Sequence, residues 1–156
     1  MLWPPDSPWS PWWRTTPRLA RIECKLAKVK KGDIIYDLGS GEGTALIIAA
    51  KEFGATGVGV EIDPFRSLQS RLAVRFAGLA GKIKIRNENF FAVDISEATV
   101  IFMYLIPKTL IKLRTKFLKE LKPGTRIVTF VYKMDLPLIA SDEKAELFVY
   151  EIPKRK

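Results

Sequence analysis

The stretch Tyr36-Asp37-Leu38-Gly39-Ser40-Gly41-Glu42-Gly43 decides the fold of this chain. It ends an apolar run that begins at Asp33, and a helix of residues 44–53, closed by Gly54, is predicted directly after it. A strand that turns on glycines into a helix is typical of sheets that bind ligands at the carboxyl ends of their strands. The absence of side chains on these glycines lets the backbone approach a ligand closely. The stretch therefore predicts a strand, a ligand-binding turn and a helix.

Strands and helices alternate on both sides of this stretch. Thr16 and Pro17 begin a helix predicted to end at Lys31-Gly32, and a helix after Asp63-Pro64 carries Phe65, Leu68, Leu72, Phe76 and Leu79 along one face. Further strands are predicted at residues 55–62, 82–86, 98–106 and 125–132, a fourth helix at 107–121, and a terminal pair of strands at 136–140 and 145–152. This alternation predicts an α/β fold with a Rossmann-like, doubly wound, mostly parallel sheet and helices on both faces.

The glycine turn departs from two common phosphate-binding patterns. The dinucleotide fingerprint needs a third glycine where Thr44 stands, and it does not require an acid at Asp37. The phosphate-binding loop needs Gly-Lys-Ser/Thr at the end of the turn, and that sequence is absent. Both nicotinamide binding and phosphate cradling are therefore disfavoured.

Polar side chains also follow the second and third strands. Glu61 ends the second strand, where its carboxylate can accept hydrogen bonds from both hydroxyls of a ribose. Asn89, in preference to Asn87, follows the third strand, and its amide can pair with an adenine edge while a neighbouring aromatic group covers the ring. Each of these features also has a purely structural explanation. The glycines could form an ordinary turn, Glu61 could be an acid at the start of a helix, and Asn89 could cap the loop. Together at one edge of a sheet they predict a nucleoside site.

Two pairs of segments carry a resemblance to a known family. The segments 36–43 and 58–63, Val-Gly-Val-Glu-Ile-Asp, resemble the first two motifs of the class I, seven-stranded S-adenosylmethionine-dependent methyltransferases. The segments 89–99 and 118–126 more narrowly resemble the small archaeal protein-lysine methyltransferases, which are related to mitochondrial enzymes acting on the ATP synthase c subunit. This resemblance extends from Thr16 to the C-terminus. It implies five parallel strands plus a C-terminal antiparallel hairpin, S-adenosyl-L-methionine as methyl donor and S-adenosyl-L-homocysteine as product.

The resemblance also implies a set of site residues. The implied cofactor contacts are Thr16, Asp37, Gly39, Ser40, Gly41, Gly43, Glu61, Ile62, Asn89 and Phe90. Thr16 either reaches the methionine carboxylate or caps the first helix. The segment 1–15, with four tryptophans and four prolines, resembles the family's arm that closes over the cofactor, ahead of a methyltransferase domain at 16–156. Alternatively the arm packs on the core or touches a membrane surface.

The composition limits the chemistry that this chain can perform. It has no histidine and one cysteine, which excludes a disulfide framework, a Cys/His zinc site and His-based catalysis, and no metal site is predicted. Methyl transfer from a sulfonium needs mainly in-line alignment, and a dry pocket lowers the pKa of an acceptor lysine. Tyr104, after the fourth strand, is predicted to wall the acceptor channel and to hold an alkylammonium by cation–π contact, unless it is a core tyrosine.

Three functions remain open from the sequence. The first is a protein-lysine N-methyltransferase acting on a protein partner with an accessible lysine. The second is an RNA methyltransferase, which the net charge of +9 favours and the missing Asn/Asp-Pro-Pro-aromatic turn disfavours. The third is a non-catalytic S-adenosylmethionine-binding subunit. The longest apolar run, residues 100–106, is too short to cross a bilayer, and no signal-peptide layout is visible, so a cytoplasmic protein is expected.

Overall fold

A seven-stranded sheet with helices on both faces organises residues 15–155, the part of the chain that this computed structural model describes. The elements in chain order are α1 (Pro17–Leu26), β1 (Ile34–Leu38), α2 (Thr44–Phe53), β2 (Thr56–Val60), α3 (Pro64–Phe76), β3 (Ile83–Arg86), β4 (Val100–Met103), α4 (Pro107–Glu120), β5 (Arg126–Phe130), β6 (Leu138–Asp142) and β7 (Leu147–Glu151). The predicted arm lies almost entirely outside the described residues and stays a prediction.

The strands lie in the order β3-β2-β1-β4-β5-β7-β6. Strands β1 to β5 pair in parallel, whereas β7 runs antiparallel to both β5 and β6. The predicted Rossmann-like, mostly parallel sheet and its C-terminal antiparallel hairpin are therefore confirmed. Because the chain moves outward from β1 through β2 to β3 and then returns to β4, a crevice is expected above the carboxyl ends of β1 and β4.

Two cores cover the two faces of the sheet. One includes Cys24 of α1, Leu46 of α2 and Val74 near the end of α3. The other lies on the opposite face and includes Leu113 of α4 together with Ile95 of the long segment between β3 and β4. No helix among the described residues is long and apolar enough to cross a membrane. Since side chains alternate along a strand, each residue of β1 belongs to one of these two faces.

The first helix ends earlier than the sequence pattern predicted. It stops at Leu26 rather than at Lys31-Gly32. Lys28 adopts a left-handed conformation with φ 54°, and the N–H of Val29 donates to the carbonyl of Cys24 at 2.9 Å, which closes the helix. Val29 lies beyond the end of the helix, and its side chain is buried. An apolar residue at helical spacing can therefore belong to the loop that follows the helix.

The apolar stripe of α3 faces outward. Phe65 is 68% exposed and Phe76 is 89% exposed, and Leu68 and Leu72 between them are also exposed. The buried face of α3 is instead formed by two serines and a valine, Ser67, Ser70 and Val74. The Ser70 hydroxyl donates to the carbonyl of Gly41, so the small, polar face of α3 packs against the glycine turn.

A buried ion pair lies at the amino ends of the parallel strands β1 and β5. Arg126 of β5 contacts Asp33 at 2.5 Å, and its other terminal nitrogen donates to the carbonyls of Ala27 and Lys28 at 2.6 and 3.0 Å. Asp33 also accepts from the hydroxyl of Thr99 at 2.8 Å. This pair therefore joins the end of α1 to the sheet.

Replacing Arg126 with methionine is expected to lower the free energy of unfolding by about 3 kcal/mol, because it leaves the buried carboxylate of Asp33 without its cation. Urea denaturation measures the loss. Arg21→Met is the control, since its pair with Glu52 is exposed and is expected to contribute under about 1 kcal/mol. Equal losses in the two variants would contradict the prediction.

Candidate functional site

The glycine turn after β1 is held by backbone hydrogen bonds to the end of β2. The N–H groups of Gly39 and Ser40 donate to the carbonyl of Val60 at 2.8 and 3.2 Å. Gly39 and Gly41 have φ of 86° and 55°, in the left-handed region that favours glycine, and nothing lies near the position of a Cβ at either. The turn thus exposes backbone directly beside the strand end. Gly43, also with positive φ, is the N-cap residue of α2, which begins at Thr44.

Glu61 is the residue that joins the first two loops. One of its carboxylate oxygens accepts from the N–H of Gly41 and the other from the N–H of Asp63, each at 3.0 Å. The side chain is buried, and each oxygen retains a lone pair beyond the bond it accepts. The carboxylate is therefore fixed in place, with acceptor capacity left for two hydroxyl donors.

The two asparagines after β3 differ in their contacts. The amide of Asn87 donates to the carbonyls of Glu61 and Ile62 at 2.9 and 3.0 Å, so it holds the third loop against the second. The oxygen of Asn89 accepts from the N–H of Phe91 at 2.9 Å, which leaves its NH₂ group outside that bond. Phe90 is buried, with its ring centroid 4.9 Å from that of Phe91, and Ile62 is exposed.

Asp37 is a buried acid beside the glycine turn. It is 3% exposed, and its Oδ1 has no hydrogen-bond partner among the described residues. Burial, together with the charge of Glu61, raises the pKa of Asp37 to about 7. The hydroxyl of Ser40 is likewise buried without a partner within residues 15–155. Two polar groups at the end of β1 therefore have unused hydrogen-bonding capacity.

Tyr104 follows β4, next to β1 in the sheet. Its ring meets that of Phe130 edge to face, with centroids 5.2 Å apart, and its hydroxyl is buried with no hydrogen-bond partner in the described part of the chain. Phe130 also lines a cleft of about 430 Å³ between α1 and the hairpin. Thr16 lies in the same cleft, and its hydroxyl accepts from the N–H of Leu19 at 3.2 Å, so Thr16 caps α1.

The structure brings the predicted residues to one edge of the sheet in a definite order. Across the strands β3, β2, β1 and β4, that edge carries Asn89, Glu61, Asp37 and Tyr104 in turn. The hydrogen bonds of Glu61 and Asn87 link the first three of these loops directly.

The sequence did not predict one buried acidic residue, which lies on the face of the sheet that carries α1 and α2. Glu23 of α1 is completely buried, and neither carboxylate oxygen has a hydrogen-bond partner among the described residues. It belongs to a stripe with Ala20, Cys24 and Ala27 at helical spacing, and this stripe is the buried face of α1. In the sequence, the sign of this burial was an acid standing among small residues at helical spacing.

The chain is similar to known methyltransferases over most of its length. The family model of the ANTKMT methyltransferase domain matches residues 37–137. A protein-lysine N-methyltransferase of Saccharolobus islandicus (strain REY15A) is 41% identical over 135 residues, which cover 86% of this chain and 82% of that protein. The Homo sapiens lysine N-methyltransferase named for the ATP synthase c subunit is 28% identical over 114 residues, 73% of this chain and 48% of that protein.

Solved structures share the fold. The RNA methyltransferase from Salinibacter ruber in complex with S-adenosyl-L-homocysteine is 36% identical, with a TM-score of 0.86, and the match covers 92% of this chain and 96% of that chain. An S-adenosylmethionine-dependent methyltransferase from Thiobacillus denitrificans shares the fold alone. It is 22% identical, with a TM-score of 0.62, and the match covers 76% of this chain and 50% of that chain. The resemblance that the sequence motifs predicted is confirmed, and the chain belongs to the ANTKMT methyltransferase domain family.

Proposed function

We propose that this chain is an S-adenosylmethionine-dependent protein-lysine N-methyltransferase. One observation carries the proposal: the edge of the sheet that holds Glu61 and Asp37 continues, over the next two strands, to the aromatic pair of Tyr104 and Phe130. A proposed nucleoside-binding acid and an aromatic wall thus lie on the two sides of β1. The 41% identical relative, which is named a protein-lysine N-methyltransferase, supports the same substrate class.

The polar groups at this edge fit the proposed cofactor. Glu61 has acceptor capacity for the two ribose hydroxyls, and the NH₂ group of Asn89 can donate to an adenine nitrogen. Asp37 and Ser40 present a buried acceptor and a buried hydroxyl that have no partner within the described chain. Buried polar groups are normally hydrogen-bonded, so their unused capacity fits a polar ligand.

The residues of this chain perform two tasks in the proposed reaction. S-adenosylmethionine supplies a methyl group on a sulfonium, which a nucleophile takes by in-line displacement. Glu61 and the glycine turn would hold the nucleoside end of the cofactor. Tyr104 and Phe130 exclude water around the acceptor amine, which favours its neutral, nucleophilic form.

The cleft beside Phe130 is the proposed entrance for the acceptor lysine. Its walls are partly apolar, and they include Leu19 and Ile22 of α1. An alkylammonium chain can pack against such walls while its nitrogen reaches the ring of Tyr104. The partner we propose is therefore a protein with an accessible lysine. For the chain itself we propose a cytoplasmic location.

The decisive experiment transfers a radiolabelled methyl group from S-adenosylmethionine into cell extract. The label is expected to survive nuclease, to be released by protease, and to appear as methyl-lysine after acid hydrolysis. Extract whose lysines have been blocked by acetylation is the matched control, and it is expected to take up no label, because an amide nitrogen is not nucleophilic.

Two results would overturn this proposal. Label released by nuclease would establish RNA methylation, the activity named for the Salinibacter ruber relative, and the chain's charge of +9 makes that the strongest competitor. Binding of S-adenosylmethionine without transfer to any macromolecule would instead indicate a non-catalytic subunit.

Replacing Tyr104 with phenylalanine is expected to lower kcat by about 10-fold to 100-fold and to leave the Kd for S-adenosylmethionine unchanged. The reason is that the ring, which contacts Phe130, remains, while a buried hydroxyl that can bond the reacting amine is lost. Single-turnover methyl transfer measures the effect, and Tyr132→Phe is the control. An unchanged kcat would assign Tyr104 to the core alone.

A further inference from the structure

Glu23 of α1 is the one residue among those described that has two buried side-chain oxygens without a hydrogen-bond partner. It is 0% exposed, and both of its carboxylate oxygens lack a hydrogen-bond partner there. Burial, with a contribution from the charge of Asp37, raises the pKa of Glu23 well above its usual range. An apolar side chain of similar length would fill the same space without this desolvation penalty. The carboxyl group therefore points to a ligand that it binds.

The carboxyl group of Glu23 is buried on the face of the sheet that carries α1, within range of the charge of Asp37. Ile35 packs in the core formed with α1 and α2, and side chains two apart on a strand share a face, so Asp37 faces α1 as well. The charge of Asp37 acts on Glu23, and Oδ1 of Asp37 also lacks a partner within residues 15–155. Two buried carboxyl groups from different elements thus share one small region at the end of β1.

The position of this pair along the sheet edge selects the part of the cofactor that it meets. Glu61 on the β2 side is the proposed ribose ligand, and Tyr104 on the β4 side is the proposed acceptor wall. The amino-acid portion of S-adenosylmethionine must then lie over β1, between these two residues. Its α-ammonium group carries a positive charge and three N–H donors, which suit two adjacent carboxyl groups.

We infer that Glu23 is a further cofactor-binding residue, whose carboxyl group forms with that of Asp37 a clamp for the α-ammonium group of S-adenosylmethionine. This inference rests on the cofactor of the proposed function but not on its acceptor. The ammonium offsets the repulsion between the two carboxylates and gives their oxygens the donors that the described part of the protein does not supply. A chain with a net charge of +9 thereby builds an acidic site for a cationic ligand.

The test compares ligands with and without the ammonium group. S-adenosylmethionine carries it, and so does S-adenosylhomocysteine, which has no sulfonium charge and is expected to respond as S-adenosylmethionine does. 5′-Methylthioadenosine retains the adenosine and lacks both the sulfonium charge and the whole amino-acid portion. Glu23→Gln is expected to raise the Kd for S-adenosylmethionine by at least about 10-fold in calorimetry and to leave the Kd for 5′-methylthioadenosine within about twofold. Glu143→Gln, an exposed substitution in the hairpin turn, is expected to change neither Kd.

Two outcomes would overturn the inference. An unchanged Kd for S-adenosylmethionine in Glu23→Gln would show that the carboxyl group makes no contact with it. An equal loss of affinity for both ligands would show that Glu23 acts only through the shape of the site. Wild-type protein that binds neither ligand would remove the proposed function, and this inference with it, whereas a failure of methyl transfer alone would leave the inference standing.

A second variant keeps the test informative if Glu23→Gln does not fold. Methionine matches the length of glutamate and has no group that must be desolvated. Glu23→Met is therefore expected to raise the Tm of the empty protein. It is also expected to raise the Kd for S-adenosylmethionine at least as much as Glu23→Gln does. A lower Tm together with unchanged affinity would assign Glu23 to stability instead of binding.

Discussion

Replacing Glu61 with glutamine is expected to raise the Kd for S-adenosylmethionine by at least about 100-fold while the fold survives. In the structure both carboxylate oxygens accept backbone N–H groups, from Gly41 and Asp63, and each has capacity for one ribose hydroxyl. Hydrogen bonds to charged groups contribute about 1.5–3 kcal/mol each, so weakening two of them corresponds to two decades or more in affinity. The NH₂ group of glutamine also cannot accept the second backbone N–H.

Calorimetric titration with S-adenosylmethionine measures this effect, and thermal denaturation checks the fold. Glu88→Gln is the matched control, because Glu88 is a half-exposed acid on the neighbouring loop whose partner, Arg86, is 3.7 Å away. The control is expected to bind as the wild type does. If Glu61→Gln bound within about threefold of the wild type, the ribose assignment would be wrong and the adenosine would have to lie elsewhere.

The mostly parallel sheet and the edge that carries the site could be predicted because both follow from the alternation of strands and helices. Alternating apolar runs and capped helices define the elements, and parallel strands place the residues that follow them at one edge. Asp37, Glu61 and Asn89 each lie at or just after a strand end, so their convergence required no knowledge of packing. The end of α1 was misjudged because a left-handed residue, Lys28, is not marked by a glycine there.

Orientation of the helices could not be predicted in the same way. The pattern of α3 displays Phe65 and Phe76 as its obvious apolar face, yet Ser70 turns inward to the glycine turn and leaves them exposed. Glu23 escaped notice for the related reason that an acid within a helix is normally solvated. Its burial depends on how α1 packs against α2 and the sheet, within range of the charge of Asp37, and that arrangement is a property of the tertiary structure alone.

The empty protein is expected to lose stability between pH 5 and pH 8 through the ionisation of Asp37. The pKa of this carboxyl group is about 7 in the folded protein, because of burial and the charge of Glu61, against an ordinary value of 3.8. A carboxyl group with a raised pKa favours the folded state fully below its unfolded pKa. That advantage is lost as pH rises toward the folded value. Each unit of difference between the folded and unfolded pKa corresponds to 1.36 kcal/mol, so the total loss in the free energy of unfolding is roughly 4 kcal/mol. Roughly 3 kcal/mol of that loss falls between pH 5 and pH 8.

Urea denaturation of the wild type and of Asp37→Asn at the two pH values isolates this contribution. The variant has no carboxyl group at position 37, so its free energy of unfolding should fall by roughly 3 kcal/mol less than that of the wild type. Glu23 adds a loss of the same sign, whereas the lowered pKa values of Glu52 and Asp94 affect stability only below about pH 5, where carboxyl groups of ordinary pKa become protonated. Parallel pH profiles for the two proteins would contradict the prediction. Saturating S-adenosylmethionine should reduce the wild-type loss, because a bound cation stabilises the ionised carboxylate that burial otherwise penalises.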